Sequence, residues 1–423
     1  VESLFQLFFG IYLFIIPYEH FPAIRNIALF TSLLFFFWLG FQGKLHFPSN
    51  LSKWERVGIF TLMFGILVSS LVGIALQQVE VESSLKAIWM NLLEDIYILF
   101  AILLYFNTRD KVLQLLKIVT LSYGALILFS LYDVVSNYLS HGWTQIDDRS
   151  NRENHFFWWA GFARISALYL PVMVGLGVYF WESLKKWEKV GGILIAVGGF
   201  ILLVLYRSSA PLVFTTLAVV GVFWFKFRPP KWVGVVVIGV VIGGAYLFDT
   251  YLNPYPKIFN WRQYDILHNQ QSFNGRGGMW KGYFQMLDTP EKLAFGYGYG
   301  WKKLGEIGKN YRPLFKKEGN QRAFNFFDGY GKSNPHNTYI EVLMDSGVIG
   351  ELLFLILVGV GLYWGWRGGE LGRVVIVPFF ISYILNSFIN GFWQENGGKF
   401  LFFMVGVGVI AYLTEKKKGE IKV

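Results

Sequence analysis

Residues 333–350 read SNPHNTYIEVLMDSGVIG. A histidine, preceded by a proline, opens an apolar run that continues to residue 365. A run of that length decides the solvent in which the chain folds, because a membrane helix needs only about 20 apolar residues. The whole chain has the matching composition: 423 residues, 54% hydrophobic, 19% aromatic and 16% charged, with a mean hydropathy of +0.42. Soluble domains carry roughly a quarter charged residues, so this chain cannot cover a globule with polar surface. There is no cysteine, which excludes disulfides, thiolate metal sites and a cysteine nucleophile. The net charge of +10 fits a positive-inside bias or an anionic partner.

Working outward, about twelve spans are expected: 3–17, 23–42, 57–76, 85–106, 112–139, 156–181, 190–206, 209–227, 231–248, 337–365, 373–390 and 399–413. The first, within VESLFQLFFGIYLFIIP (1–17), lacks a basic lead and a small-residue cleavage site, and reads as a span and not as a removed signal peptide. With the N-terminus in the cytoplasm, every short cytoplasmic connection is basic: Lys44, Lys53 and Arg56; Arg109 and Lys111; Lys185, Lys186 and Lys189; Lys226, Arg228 and Lys231; Arg367 and Arg373. Lys416, Lys417, Lys418 and Lys422 follow the last span. The short opposite connections are mixed or acidic. That regularity supports both the count and an orientation with both chain ends in the cytoplasm.

The fold class expected is therefore an all-α integral membrane protein, organised as 1–248 (spans one to nine), 249–335 (one large outer segment) and 336–423 (spans ten to twelve and a basic tail). The outer segment holds thirteen Lys/Arg and seven Asp/Glu, a net of +6. It contains Trp261, Phe273, Trp280, Tyr283, Phe295 and Trp301, enough aromatic mass for a fold of its own. Met279, Tyr283 and Met286–Leu287 have helical spacing, and Asp288-Thr289-Pro290 ends that run. GYGYGW (296–301) reads as a turn-rich surface piece.

Three basic residues fall on the outer side: Arg207 in LYRSSAP, Arg276 in NGRGGMW and His336. Asn334-Pro335-His336 reads as N-cap, N1 and N2 of the tenth helix. A helix start attracts phosphate and, with arginines nearby, disfavours imidazolium, so His336 is expected neutral near pH 7 and able to accept a proton. Gly347 and Gly350 lie on the same stripe as His336, Tyr339 and Leu343, and would let another helix pack closely. Guanidinium groups hold phosphate oxygens in bidentate fashion, most strongly as charge builds on a departing diphosphate. The constellation suits transfer from a diphosphate leaving group, with no metal and no cofactor required. Each residue alone also has a plainer reading: Arg207 snorkelling to headgroups, Arg276 paired with a loop carboxylate, His336 bonded to backbone. At membrane depth, Glu94 and Asp95 are expected to pair with Arg164, binding of a lipid headgroup being the other reading.

His336-Asn337, nine residues, then Gly347-Val348-Ile349-Gly350 resembles the pattern H-[NSQ]-x9-G-x-x-[GTY] of the bacterial O-antigen ligase family, within the ligase/polymerase superfamily. NGRGGMW with the FGYGYG turn, and the arginine of YRSSAP, are similar to stretches of the same superfamily, and the likeness covers about residues 200–350. The resemblance implies a fold like that of GT-C-type glycosyltransferases. It implies metal-independent transfer, with inversion, of a glycan from undecaprenyl diphosphate to lipid A–core at the periplasmic face of the bacterial inner membrane. Under it, Arg207 and Arg276 hold the diphosphate, and His336 serves the acceptor hydroxyl or the phosphate. Asn337, Tyr339 and Arg164 are supporting candidates. The partners implied are the lipid-linked donor, the lipid A–core acceptor and membrane lipids, with no nucleic acid.

Polymerases of the superfamily carry R-x10-G motifs in two large outer loops. Here one such loop is present, and Ala218 and Leu287 stand where the glycines would follow Arg207 and Arg276. Protein O-oligosaccharyltransferases share the histidine pattern and often have a longer C-terminal region. A transporter or flippase of twelve spans is the rival from another class, but its central cytoplasmic loop is missing: the sixth connection, ESLKKWEK, is short. A glycan-lipid binder without turnover would need the same arginines.

Overall fold

A computed structural model describes residues 1–18, 20–141, 159–205, 209–230, 272–300, 303–329, 334–393 and 396–419, with isolated positions between 232 and 243. The described residues are helical throughout, with turns and no strand. In chain order the helices are α1 (Glu2–Ile15), α2 (Pro22–Phe41), α3 (Lys53–Gln77), α4 (Val81–Leu104), α5 (Arg109–His141), α6 (Trp159–Tyr179), α7 (Lys186–Leu205) and α8 (Ser209–Phe227). After them come the short α9 (Ser272–Met286), α10 (Pro290–Phe295), α11 (Leu304–Asn310), α12 (Arg312–Lys317) and α13 (Gln321–Gly329), then α14 (Thr338–Arg367), α15 (Gly369–Ser387) and α16 (Asn396–Lys417). Nine of them are long and apolar enough to cross a membrane, and α1 and the apolar part of α8 are shorter apolar helices. Each expected span therefore has its helix except 231–248, which lies almost wholly outside the described residues.

The bundle is built around α16. Nearly every residue from Gly397 to Leu413 is buried, against α4 on one side and α14 on another. By contrast α2 shows Ile27, Phe30, Leu34 and Phe37 outward, an apolar face of the kind that lipid covers at low cost. At one end of the bundle Lys44 bonds Glu2 at 2.7 Å, Lys416 bonds Glu55 at 3.3 Å and Lys226 bonds Glu370 at 2.5 Å. These pairs join the starts of α1, α3 and α15 to the ends of α2, α16 and α8. The helix ends therefore alternate, and the first described helix starts at the end where the last one finishes.

Helices α9–α13 sit at the opposite end with a core of their own. Met279, Tyr283 and Met286 of α9, at the spacing read from the sequence, pack with Leu304, Phe315, Ala323 and Phe327 and with Ile340 and Met344 of α14. The end of α9 also falls where the sequence places it, with Thr289 capping α10 and Pro290 in its first turn.

One local expectation is corrected here and another gains a detail. GYGYG is not a surface piece: Gly296 through Gly300 are buried, and the turn is wedged between α3 and α14, while Trp301 lies outside the described residues. Gly347 does let another helix, α10, pack closely, as expected, but it does so at a break in its own helix. Its φ of +64° and ψ of −170° break α14, and a methyl group there would lie 2.2 Å from the carbonyl of Ala294. Only glycine combines that torsion with that closeness. The carbonyls freed by the break find new donors: Tyr297 N–H bonds Met344 O at 2.7 Å, and Ser69 Oγ bonds Ser346 O at 2.6 Å. On the other wall, Gly73 meets the Phe295 carbonyl where a Cβ would lie 2.5 Å away.

The expected Glu94/Asp95–Arg164 pairing is also corrected. Glu94, 8% exposed, pairs with Lys399, 2% exposed, at 3.2 Å, and accepts from Tyr12 Oη at 3.1 Å. Among the described residues no donor reaches either carboxylate oxygen of buried Asp95. The cause is that α16 begins at Asn396, so Lys399 enters the bundle one turn inside the helix and reaches Glu94. Removing one partner of a buried pair strands the other charge. Lys399→Ala is expected to cost about 3–5 kcal/mol of stability, and Glu94→Gln with Lys399→Met to recover most of it. Thermal unfolding in detergent measures both, and equal melting of wild type and Lys399→Ala counts against the pair.

Candidate functional site

The connection entering α14 is built from polar side chains folding back on the backbone. Helix α14 starts at Thr338, and its N-cap is Asn337, whose Oδ1 accepts from Ile340 N–H at 3.1 Å. The sequence expectation placed the cap three residues early. Asn334 makes a different turn: its Oδ1 accepts the His336 N–H at 2.6 Å, and His336 has φ +51°. An L-residue enters that left-handed region at a cost of about 1–2 kcal/mol, asparagine, aspartate and histidine being enriched there. His336 thus stands before the helix, not on it.

Neighbouring elements fix this loop. Trp280 Nε1 of α9 donates to Pro335 O at 2.9 Å. Past α15, three successive carbonyls of the segment 388–390 are each bound by a residue of the site. Asn337 Nδ2 donates to Phe388 O at 3.0 Å, Arg276 Nη1 to Ile389 O at 2.6 Å, and Thr338 Oγ1 to Asn390 O at 2.9 Å. The Thr338 hydroxyl also accepts Phe392 N–H at 2.9 Å. Tyr339 donates to Ile384 O at 3.1 Å and packs its ring against Phe388 at 4.8 Å. So α9, the start of α14 and the segment between α15 and α16 converge on one end of the bundle.

His336 is open to solvent on part of its surface, but the protein around the ring strips away much of its hydration. Burial first, then the charges of Arg276 and Arg164, push its pKa from 6.5 down to about 4. The ring is neutral near pH 7, as expected from the sequence. The expected arginines are among the causes, but desolvation leads, and His336 does not lie on the helix whose start was expected to contribute. Arg164, on α6, lines a recess with Tyr169, Phe392 and Asn396. Among the described residues no group of three or more histidines and carboxylates is placed to hold a metal ion.

Of the residues singled out in sequence, His336, Arg276, Arg164, Asn337 and Tyr339 come together. Arg207 lies outside the described residues. Sequence reading missed Glu341, Thr338, Trp280 and the segment 388–393. FINGFW, at 388–393, has an Asn-Gly turn signal, yet its partners lie some 50 positions earlier and no local spacing shows them.

A comparison with curated proteins gives no match. Residues 192–355, which include Arg207, Arg276 and His336, match the family model described as O-Antigen ligase, and this match supports the O-antigen ligase family for the chain.

Proposed function

We propose that the protein transfers a glycan from undecaprenyl diphosphate to a hydroxyl of lipid A–core at the periplasmic face of the bacterial inner membrane. The observation that carries this reading is one neutral imidazole held among guanidinium groups, inside the segment that matches the ligase family. The orientation is supported by the basic residues Lys44, Arg56, Lys226 and Lys416 at the end of the bundle away from His336. In this orientation 249–335 is the large periplasmic region.

The proposed reaction is a single displacement. The acceptor oxygen attacks the anomeric carbon while the bond from that carbon to the diphosphate oxygen breaks. The hydroxyl proton passes to the His336 imidazole, and polyprenyl diphosphate leaves with the electron pair. Inversion at the anomeric carbon follows. Arg276, with Arg207 and Arg164, stabilises the charge that grows on the leaving diphosphate. Asn337, Thr338 and Tyr339 hold the loop and the facing segment in place. Arginines in that role take the place of a divalent cation.

Purified protein is incubated with an undecaprenyl-diphosphate-linked glycan, in EDTA, together with lipid A–core, an acceptor peptide, or no second substrate. Glycosylated lipid A–core is the expected product, at the same rate with and without chelator. Elongated donor alone would mark a polymerase and glycopeptide a protein glycosyltransferase. No turnover with any acceptor would mark a binder or transporter, and restoration by added Mg²⁺ would contradict the metal-free mechanism.

A further inference from the structure

The carboxylate of Glu341 plays no part in the displacement proposed above, yet it is 1% exposed and lies one turn into α14 beneath the His336 loop. Its Oε1 accepts from Asn334 Nδ2 at 3.4 Å, and its Oε2 accepts from Trp393 N–H at 3.2 Å. Gly391 packs directly on it, where a Cβ would lie 2.7 Å from Oε1, so a side chain at 391 would push the carboxylate off these partners. The Asn334 side chain is thus specified at both ends. A carboxylate can only accept, so it takes the amide NH₂, and the amide oxygen is turned onto the His336 N–H. That bond, at 2.6 Å, closes the turn in which His336 has φ +51°.

We propose that Glu341 is the positioning residue of this site: it sets the orientation of Asn334, and through Asn334 the left-handed backbone that aims the His336 ring toward Arg276 and Arg164, while locking the segment 391–393 over the same acid. The proposal rests on His336 being the base of the reaction. Replacing the acid with glutamine removes the selection, because an amide can offer Asn334 a donor as readily as an acceptor. The ring then samples other directions, and misplacement by about 1 Å costs up to about a hundredfold in rate.

The experiment is a double-mutant cycle on the full-length protein in detergent, with kcat, KM and the pH dependence of kcat/KM read for each variant. Glu341→Gln is expected to lower kcat by about ten- to a hundredfold with the donor KM unchanged. It is also expected to raise the acidic inflection, as the ring moves away from the two arginines. On a His336→Ala background the same change is expected to cost nothing further, since both act through one imidazole. Asn334→Ala, at a less buried position, is expected to behave as Glu341→Gln does, and serves if the latter does not fold. A lowered melting temperature with kcat and inflection unmoved overturns the proposal, as does a loss that adds in full to that of His336→Ala. Full activity in His336→Ala itself overturns instead the role of the imidazole on which this proposal stands.

Discussion

Folded His336→Ala protein is expected to turn over about a hundred- to ten-thousandfold more slowly than wild type, the range for loss of a positioned general base. The ring lies just outside α14, open to solvent on part of its surface and close enough to Arg276 and Arg164 for both charges to oppose its protonation. The pH dependence carries the same message. A base works only when unprotonated, so with a pKa of about 4 the kcat/KM profile should be flat from neutrality downward and fall only as the pH approaches that value. A diphosphate esterified at both ends has no ionisation near neutral pH to confuse the reading. An inflection at about 6.5, the ordinary histidine value, would mean that the ring is neither desolvated nor near the arginines. Wild-type rates in folded His336→Ala would end its assignment as the base.

Arg276→Ala is expected to lower kcat by about a hundredfold or more, the loss typical of removing one preorganised donor to a developing charge. The residue also holds Ile389 O at 2.6 Å, so its loss could act through the 388–393 segment alone. Arg276→Lys separates the two effects. An ammonium can bond one carbonyl, but it cannot grip that carbonyl and a diphosphate through a planar fork. If leaving-group stabilisation dominates, lysine recovers little. Near-complete recovery would reduce Arg276 to a tether. Arg276→Ala, which removes the charge, should also lift the acidic inflection of kcat/KM toward 6.5, because Arg276 is one of the causes that hold it down.

The bundle was legible because hydropathy is a property of runs, and runs survive small errors of register. The α9 helix was legible because Met279, Tyr283 and Met286 mark one face. The site was read less completely, for reasons that differ from residue to residue. Asn334-Pro335-His336-Asn337-Thr338 contains two asparagines three apart, either of which can cap a helix. Proline after the first favours the wrong one, and the choice goes with the left-handed backbone of His336, in a loop whose residues Pro335, Asn337 and Thr338 are tied to Trp280, Phe388 and Asn390 far away in sequence. Glu341 sits in an apolar run at a position where a charge looks like first-turn decoration, and only the approach of Gly391 and Trp393 shows what it holds. Lys399 was read as the edge of a span, and it became the partner of Glu94 because α16 starts a turn earlier than hydropathy suggests.

The break at Gly347 divides α14 into a short outer turn section and a long rod in the bilayer. The outer section is fastened by Tyr297, Ser69 and the 388–393 segment, while the rod below presents Leu352, Leu355 and Ile356 to lipid. The imidazole belongs to the fastened section, and along α14 the lipid-facing rod connects to it only through the backbone of one glycine.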